Sequence, residues 1–315
     1  MAYNKQIIVQ KLLRILCKEV FALKKVLMII NPKAGKTRSN GPLFDAAAVF
    51  CEAGYLVGIR QTEKAGDARR FASEEAGDYD LVVCVGGDGT FNETISGLME
   101  LPECPPVGYL PRGSTNDFAA SLHLPTFPPR AAQKIVRGKA HALDLGTHNG
   151  RYFAYVASFG AFTRTSYAAP QYAKNTLGHL AYIVEGVKDL DSLRPYRCRI
   201  DADGEVFEGE FAFGAVCNST SLGGFIKLDP KCVRLNDGNF ELLLLRMPKT
   251  PMDFQNLLLA LTKMQYNVPG VIFRHVKKVV VTTEDDLPWS LDGEYAPSAP
   301  TVEIENKPGV LSLVL

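Results

Sequence analysis

The sequence predicts two regions of different class: an α/β unit on a doubly wound parallel sheet, then a larger β-rich unit, antiparallel and sandwich-like. Three observations carry this expectation. From Lys25 to Asp117, short apolar runs alternate with helix-like segments, the spacing of parallel strands joined by crossover helices. Glycine and polar clusters follow three of those runs, at the strand ends where open α/β sheets bind ligands. Beyond about Leu145 the alternation gives way to strand-like runs joined by Asp203-Gly204, Asp237-Gly238 and Asp292-Gly293, dipeptides that favour tight turns.

Lys25–Ile30 reads as a strand buried on both faces, because it is apolar without alternation. It ends in Asn31-Pro32-Lys33-Ala34-Gly35-Lys36. A helix is expected around Leu43–Ala53, a second strand at Tyr55–Arg60 and a second helix at Asp67–Ala76. Leu81–Val85 is the third strand and runs into Gly86-Gly87-Asp88-Gly89-Thr90, with a helix beginning near Asn92. Val107–Pro111 is the fourth and leads into Gly113-Ser114-Thr115-Asn116-Asp117. In the second region strands are expected at Arg151–Ser158, Tyr196–Ala202, Glu205–Asn218, Asn239–Arg246, Lys277–Thr283, Trp289–Leu291 and Thr301–Glu305. Helices interrupt them near Gly178–Leu190 and Asp253–Lys263. The expected limits are an extension over 1–24, the α/β unit over 25–147 completed by 306–315, and the β-rich unit over 148–305.

Composition excludes several classes. With 315 residues, 46% hydrophobic, 22% charged and a formal net charge of +1, the chain is ordinary for a globular protein. It lacks the strong positive charge of a general nucleic-acid binder, so no nucleic-acid partner is expected. Its seven cysteines (17, 51, 84, 104, 198, 217 and 232) are scattered, with no CxxC pair. That argues against a disulfide framework or zinc site and for a reducing cytoplasm. No apolar run reaches the ~18 residues that span a bilayer. Within Lys5–Lys25, Lys11, Arg14, Lys18 and Lys25 form a cationic stripe opposite a broad apolar face, with Glu19 the one acidic residue. Such a helix suits an anionic membrane interface; packing on the protein's own surface and an upstream start codon that adds extra sequence are the other readings.

The Gly86–Thr90 cluster has the layout of a phosphate site. Glycines let backbone approach a ligand closely, and N–H groups meet phosphate at the start of the next helix. Gly35-Lys36-Thr37 is no P-loop, because the glycine required five positions before Gly35 is Ile30. Nor is Gly86–Gly89 a dinucleotide fingerprint. His123, His141, His148, His179 and His275 do not cluster in sequence.

Asn31-Pro32-x-x-Gly35-Lys36, Gly86-Gly87-Asp88-Gly89-Thr90-x-Asn92-Glu93 and Gly113-Ser114-Thr115-Asn116-Asp117-Phe118-Ala119 occur in that order. With Ala142–Gly146, Gly223-Gly224-Phe225, Leu235–Phe240 and Leu291-Asp292-Gly293-Glu294, they resemble the diacylglycerol kinase catalytic family, in particular its soluble bacterial lipid kinases. The resemblance runs from Lys25 to Leu315. It implies an ATP- and Mg²⁺-dependent phosphotransferase acting on a lipid alcohol in phospholipid biosynthesis, with diacylglycerol preferred over a sphingoid base or phosphatidylglycerol. A non-catalytic nucleotide- or lipid-binding module is the reading from another class, and the complete carboxylate set argues against it. A cytoplasmic enzyme working at the membrane surface follows, and a homodimer is allowed.

The resemblance also implies site residues. Asn31, Pro32, Lys33, Ala34, Gly35, Thr62, Gly87, Asp88, Gly89, Thr90, Phe91, Asn92, Glu93 and Ser114 would line the ATP site. Asp88, Asp117 and Asp144 would form an Asp–water–Mg²⁺ network, Asp144 alternatively capping a turn. Arg234, Asp237 and Asn239 would hold a structural Mg²⁺, although Asn236 makes that loop less acidic than the family pattern and an ordinary Asp-Gly turn is the other reading. Asp292 and Glu294, two apart in an expected extended segment, would face the same side and supply the base, Glu294 favoured over Asp292. Phe159, Phe162, Tyr167 and Tyr172 either wall an acyl-chain cleft or pack in the core, and Trp289 has the same two readings.

Overall fold

A computed structural model describes residues 23–35, 41–161, 193–223 and 226–315. The expected basic helix of the N-terminal extension, the helix near Gly178–Leu190, His179, Phe162, Tyr167, Tyr172 and the Gly224-Phe225 pair lie outside the described residues, as does Lys36.

The first four strands, β1 (Lys24–Ile30), β2 (Tyr55–Gln61), β3 (Leu81–Gly86) and β4 (Val107–Pro111), are parallel and lie in the order β2-β1-β3-β4. Successive side chains of a strand point to opposite faces, and here both faces are covered. Val26, Met28, Val83 and Val85 pack with Leu43, Ala46 and Phe50 of helix α1 (Gly41–Glu52). The alternate residues Leu27, Ile29, Val82 and Cys84 pack with Ala68 and Ala72 of α2 (Asp67–Glu75) and Phe91, Ile95 and Leu98 of α3 (Asp88–Leu98). This is the doubly wound arrangement, and it brings the carboxyl ends of β1, β3 and β4 to one edge of the sheet.

A short helix α4 (Asp117–Ser121) follows β4, and α5 (Pro128–Arg137) adds Ala131, Ala132 and Ile135 to the α1 side of the sheet. The next strands are β5 (Ala140–His148), β6 (Arg151–Phe153), β7 (Val156–Gly160), β8 (Tyr196–Ala202) and β9 (Glu205–Cys217). After them come the small β10 (Ser221–Leu222) and β11 (Ile226–Lys227), then β12 (Phe240–Arg246), helix α6 (Pro251–Thr262) and β13 (Val271–Val276). The chain closes with β14 (Lys278–Thr282), β15 (Trp289–Leu291), β16 (Glu294–Ala296) and β17 (Thr301–Val314). Long β9 is shared between layers: its first half pairs β8, and its second half lies between β7 and β12. Phe153, Phe159, Phe211, Phe240 and Trp289 fill the core they enclose. Phe159 and Trp289 therefore belong to the core, their rings 5.0 Å apart edge to face.

β17 is much longer than the expected Thr301–Glu305. Thr301–Glu305 pair with β14 on one side and Ile304–Lys307 with β5 on the other; after a bulge at 308–310 Leu311–Val314 continue the ladder with β5, while Leu313 lies beside Val107 of β4. The expected strand Arg151–Ser158 is broken at Ala154-Tyr155, where backbone N–H groups leave the ladder for a carboxylate described below. α3 begins at Asp88, four residues earlier than expected, with Gly87 as its N-cap. Two hairpins turn on Asp-Gly as expected, Asp203-Gly204 and Asp292-Gly293, each with positive φ at both residues. Asn149-Gly150 closes a third, between β5 and β6, with φ of 48° and 82°.

Candidate active site

Three loops at the carboxyl edge of the parallel sheet are drawn together by backbone bonds. Asn31 N–H donates to Val85 O at 2.9 Å, and Arg112 N–H donates to Gly86 O. The loops approach so closely that side chains cannot fit between them. A Cβ on Gly113 would lie 2.6 Å from the Gly87 Cα, and one on Gly35, which sits at φ +88°, would lie 2.5 Å from Arg112 O. Between them opens a cleft of about 450 Å³, floored by Gly87, Gly89, Thr90, Gly113 and Ser114 and walled by Asn31, Lys33, Ala34, Gly35, Thr62, Glu63, Lys64, Ala65, Glu93 and Glu294. No side chain caps the N-terminus of α3, so its first N–H groups and its positive dipole end stand at the cleft floor. That is a site for a phosphate chain.

Carboxylates gather under this floor. The Asp117 N–H donates to Asp88 Oδ2 at 3.2 Å, and the Asp117 carboxylate accepts from Ser221 Oγ at 2.6 Å. Asp88 Oδ1 is buried and has no hydrogen-bond partner among the described residues. Burial first, then the neighbouring Asp117 charge and that of Asp292, push the Asp88 carboxyl up to about 7. The buried phenols of Tyr109 and Tyr155 stay neutral beside it, held well above their ordinary range by burial and by the same carboxylates.

Asp292 sits at the tip of the β15–β16 hairpin, 3% exposed. Its Oδ2 accepts from the Ala154 N–H and from Asn92 Nδ2, both at 2.6 Å; its Oδ1 accepts from Tyr155 and Val156 N–H, both at 3.0 Å. Burial raises its pKa, and these four donors pull the other way. Glu294 differs. Its carboxylate reaches the cleft, with Oε1 against Gly89 and Oε2 2.9 Å from Arg151 Nη2. Burial raises its pKa as well; Arg151 lowers it, while Glu93 and Asp292 raise it further.

Residues 25–148 match the family described as diacylglycerol kinase catalytic domain, and residues 156–315 match the YegS C-terminal NAD kinase beta sandwich-like domain. Over 280 residues the chain is 36% identical to the diacylglycerol kinase of Bacillus subtilis (strain 168), covering 88% of this chain and 92% of that one. The chain belongs to the diacylglycerol kinase family. A Staphylococcus carnosus (strain TM300) diacylglycerol kinase is 34% identical over 280 residues, 88% of this chain and 90% of its own. A solved Bacillus anthracis str. Sterne diacylglycerol kinase shares the fold, with a TM-score of 0.73 at 24% identity over 93% of this chain and 97% of that one. As a member of this family the protein is an ATP-dependent lipid kinase.

With the diacylglycerol kinase motifs placed in space, the expected site residues divide. Asn31, Lys33, Ala34, Gly35, Thr62, Gly87, Gly89, Thr90, Glu93, Ser114 and Glu294 line one cleft. Pro32 lies in the first loop but not on the cleft lining. Phe91 faces inward and stacks on Tyr109 at 4.5 Å and Phe118 at 5.2 Å. Asn92 is buried and holds Asp292. Glu93 lines the wall, but its carboxylate accepts Gly66 and Ala68 N–H at the start of α2, so it braces the 63–67 loop. Asp292 and Glu294 do not share an extended segment as expected, because Asp292 adopts φ 51° in the hairpin turn. One carboxylate is thereby buried as an anchor while the other is presented to the cleft.

The expected metal ligands also separate. Asp144 makes no direct hydrogen bond to Asp88 or Asp117 among the described residues and caps a turn instead: its oxygens accept Gly238 N–H at 2.7 Å and Gly309 N–H at 2.8 Å, tying the 235–238 loop to the bulge of β17. In that loop Asp237 Oδ1 accepts the Asn239 N–H at 3.0 Å, an exposed turn, and Arg234 is exposed beside it. Among the described residues no three His, Cys, Asp or Glu side chains stand together at metal-ligand spacing. Asp88 nevertheless suits Mg²⁺, which takes few carboxylates and keeps its waters: its buried Oδ1 lacks a donor and sits among like charges. Glu63, Lys64, Ala65 and Arg151 belong to the site region and carry no motif that would have revealed them.

The Gly87–Gly113 contact gives a direct test. Gly113→Ala pushes the third loop off the second, and kcat/KM for ATP is expected to fall by about 10²-fold, since displacements near 1 Å cost that much in positioning. Steady-state kinetics would measure it, and a parental kcat/KM would show that the loops are not held at contact distance.

Proposed function

We propose that this kinase transfers the γ-phosphate of ATP to the hydroxyl of diacylglycerol, giving phosphatidic acid and ADP, with Glu294 as the general base. ATP lies in the cleft with its phosphates against the Gly35, Gly87–Thr90 and Gly113-Ser114 backbone. The Glu294 carboxylate takes the proton of the lipid hydroxyl as its oxygen attacks phosphorus and the β–γ bridging oxygen leaves with ADP. The position of Glu294 carries this reading: a partly exposed carboxylate at the mouth of a helix N-terminus, facing the same space as the phosphate loops. Glu93, the other carboxylate there with a bearing on Glu294, is occupied by two backbone donors. The raised carboxyl of Glu294 suits a proton acceptor.

Asp88, with Asp117 beside it, would hold Mg²⁺ through bound water. When bound, the ion neutralises charge on the phosphates. Asp292 keeps the hairpin that bears Glu294 fixed to α3 through Asn92. The α/β half serves the nucleotide and the β-rich half the lipid. Diacylglycerol resides in the bilayer, so the enzyme works at the cytoplasmic membrane surface; among the described residues no helix is long and apolar enough to cross a membrane.

The test is a panel of lipid alcohols in mixed micelles (diacylglycerol, sphingosine and phosphatidylglycerol) with γ-labelled ATP and Mg²⁺. Label is expected in phosphatidic acid. Label in no lipid while ATP still binds would remove the reading, and label confined to another lipid would replace the acceptor. The Mg²⁺ assignment has its own measurement. At about a hundredfold excess over its Kd, Mg²⁺ is expected to stabilise the parent by about 2.7 kcal/mol, seen as a rise in Tm. Asp88→Asn should lose that rise; an equal response in both proteins would clear Asp88 of the role.

A further inference from the structure

We propose that Arg151 is a positioning residue for Glu294: its guanidinium fixes the direction of that carboxylate and keeps it in the proton-accepting form. The proposal deepens, and rests on, the reading of Glu294 as the base.

Arg151 opens β6 directly after the Asn149-Gly150 turn, and Glu294 opens β16 directly after the Asp292-Gly293 turn. The two hairpin ends meet. Arg151 Nη2 lies 2.9 Å from Glu294 Oε2, and Nη1 donates to the carbonyl of Tyr295 at 3.3 Å. One guanidinium thus grips both the side chain of residue 294 and the backbone of residue 295, which sets the carboxylate against its own strand. The other oxygen, Oε1, is directed to Gly89 and the cleft.

Such a contact adds little to stability, because the side chains are 42% and 38% exposed. Its effect falls on orientation and charge. Glu93 on α3 and Asp292 in the turn are the acidic groups that bear on Glu294, and both favour its neutral form, as does its burial. Arg151 opposes all three. Lys33 and Lys64 line the same cleft, but the Lys33 ammonium donates to Glu63 O, and among the described residues Arg151 is the cation hydrogen-bonded to Glu294. A base that must be ionised before it can accept a proton, and that stands beside two carboxylates, needs such a cation.

The experiment compares the parent, Arg151→Gln, Arg151→Lys and Glu294→Gln by kcat, KM for ATP and lipid, and the pH profile of kcat, with melting curves to show that each is folded. Arg151→Gln is expected to lower kcat by roughly tenfold or more at neutral pH, with KM for ATP little changed. Its acid limb should move to higher pH, because burial, Glu93 and Asp292 then act unopposed on Glu294. Arg151→Lys should return the limb towards its parental position by restoring the charge, while kcat stays below the parent because the planar double contact is lost. An inactive Glu294→Gln beside an Arg151→Gln with parental kcat and limb would overturn the positioning role alone. So would a rise in KM for ATP with kcat and limb unchanged, which would make Arg151 a phosphate contact. Full turnover by Glu294→Gln would instead remove the base reading on which this one rests.

Discussion

Glu294→Gln is expected to lower kcat for lipid phosphorylation by about 10³-fold, within the range attributed to general base catalysis, while ATP affinity stays near the parental value. The amide keeps the shape of the carboxylate and can still meet Arg151, but it cannot take a proton. In the parent, kcat should rise with pH through the titration of Glu294, and that limb should sit above the ordinary glutamate range. Its direction follows from burial and the nearby Glu93 and Asp292 outweighing Arg151. Single-turnover measurements with labelled ATP would separate chemistry from product release. A variant that keeps even a tenth of parental kcat, with the same acid limb, would mean that the proton leaves by another route.

Asp292→Ala is expected to act differently, through stability. Removal of this carboxylate strands three backbone N–H groups and the Asn92 amide in a buried space. Unsatisfied buried donors and broken buried charge contacts cost about 3–5 kcal/mol together. Urea denaturation should show a loss of that order, and the hairpin bearing Glu294 should lose its register against α3. Asp292→Asn keeps one acceptor oxygen but turns an NH₂ group towards other donors, so an intermediate loss is expected. An Asp292→Asn protein with parental stability and no turnover would assign the chemistry to Asp292 rather than to its neighbour.

The contrast between these carboxylates also shows what could be read from residues alone. Leu81–Val85 and Val107–Pro111 were legible as buried parallel strands because unbroken apolar runs have few other uses in an α/β unit. The Gly87 and Gly113 loops were legible because glycines at strand ends signal close backbone approach. Asp292 and Glu294 were identifiable as a pair, but not in their separate duties. Two signals conflict in that segment: the two-residue spacing suggests one extended strand and Asp292-Gly293 a turn, and the turn wins, with positive φ at both residues reversing the chain between the carboxylates. Asp144 had two readings, a network carboxylate and a turn cap, and residues alone could not show its partners: Gly238 and Gly309 are far away in sequence, the first brought to it by the 235–238 loop and the second by the return of β17. Phe91 could not be told from a cleft residue, since helix phase depended on α3 starting at Asp88. Arg151 had no motif, and only the meeting of two hairpin ends gives it a partner.

The path of β17 bears on how the chain is made. Leu311–Val314 sit against β5, with Leu313 beside β4, so the edge of the first-built sheet is finished by residues synthesised after the whole β-rich unit. Domains usually fold in order as they leave the ribosome. Here the α/β half can gather its helices early but must wait, with β4 exposed along one side, until translation has delivered residue 314. Until then that edge is an unpaired row of N–H and C=O groups, a template on which another chain can pair.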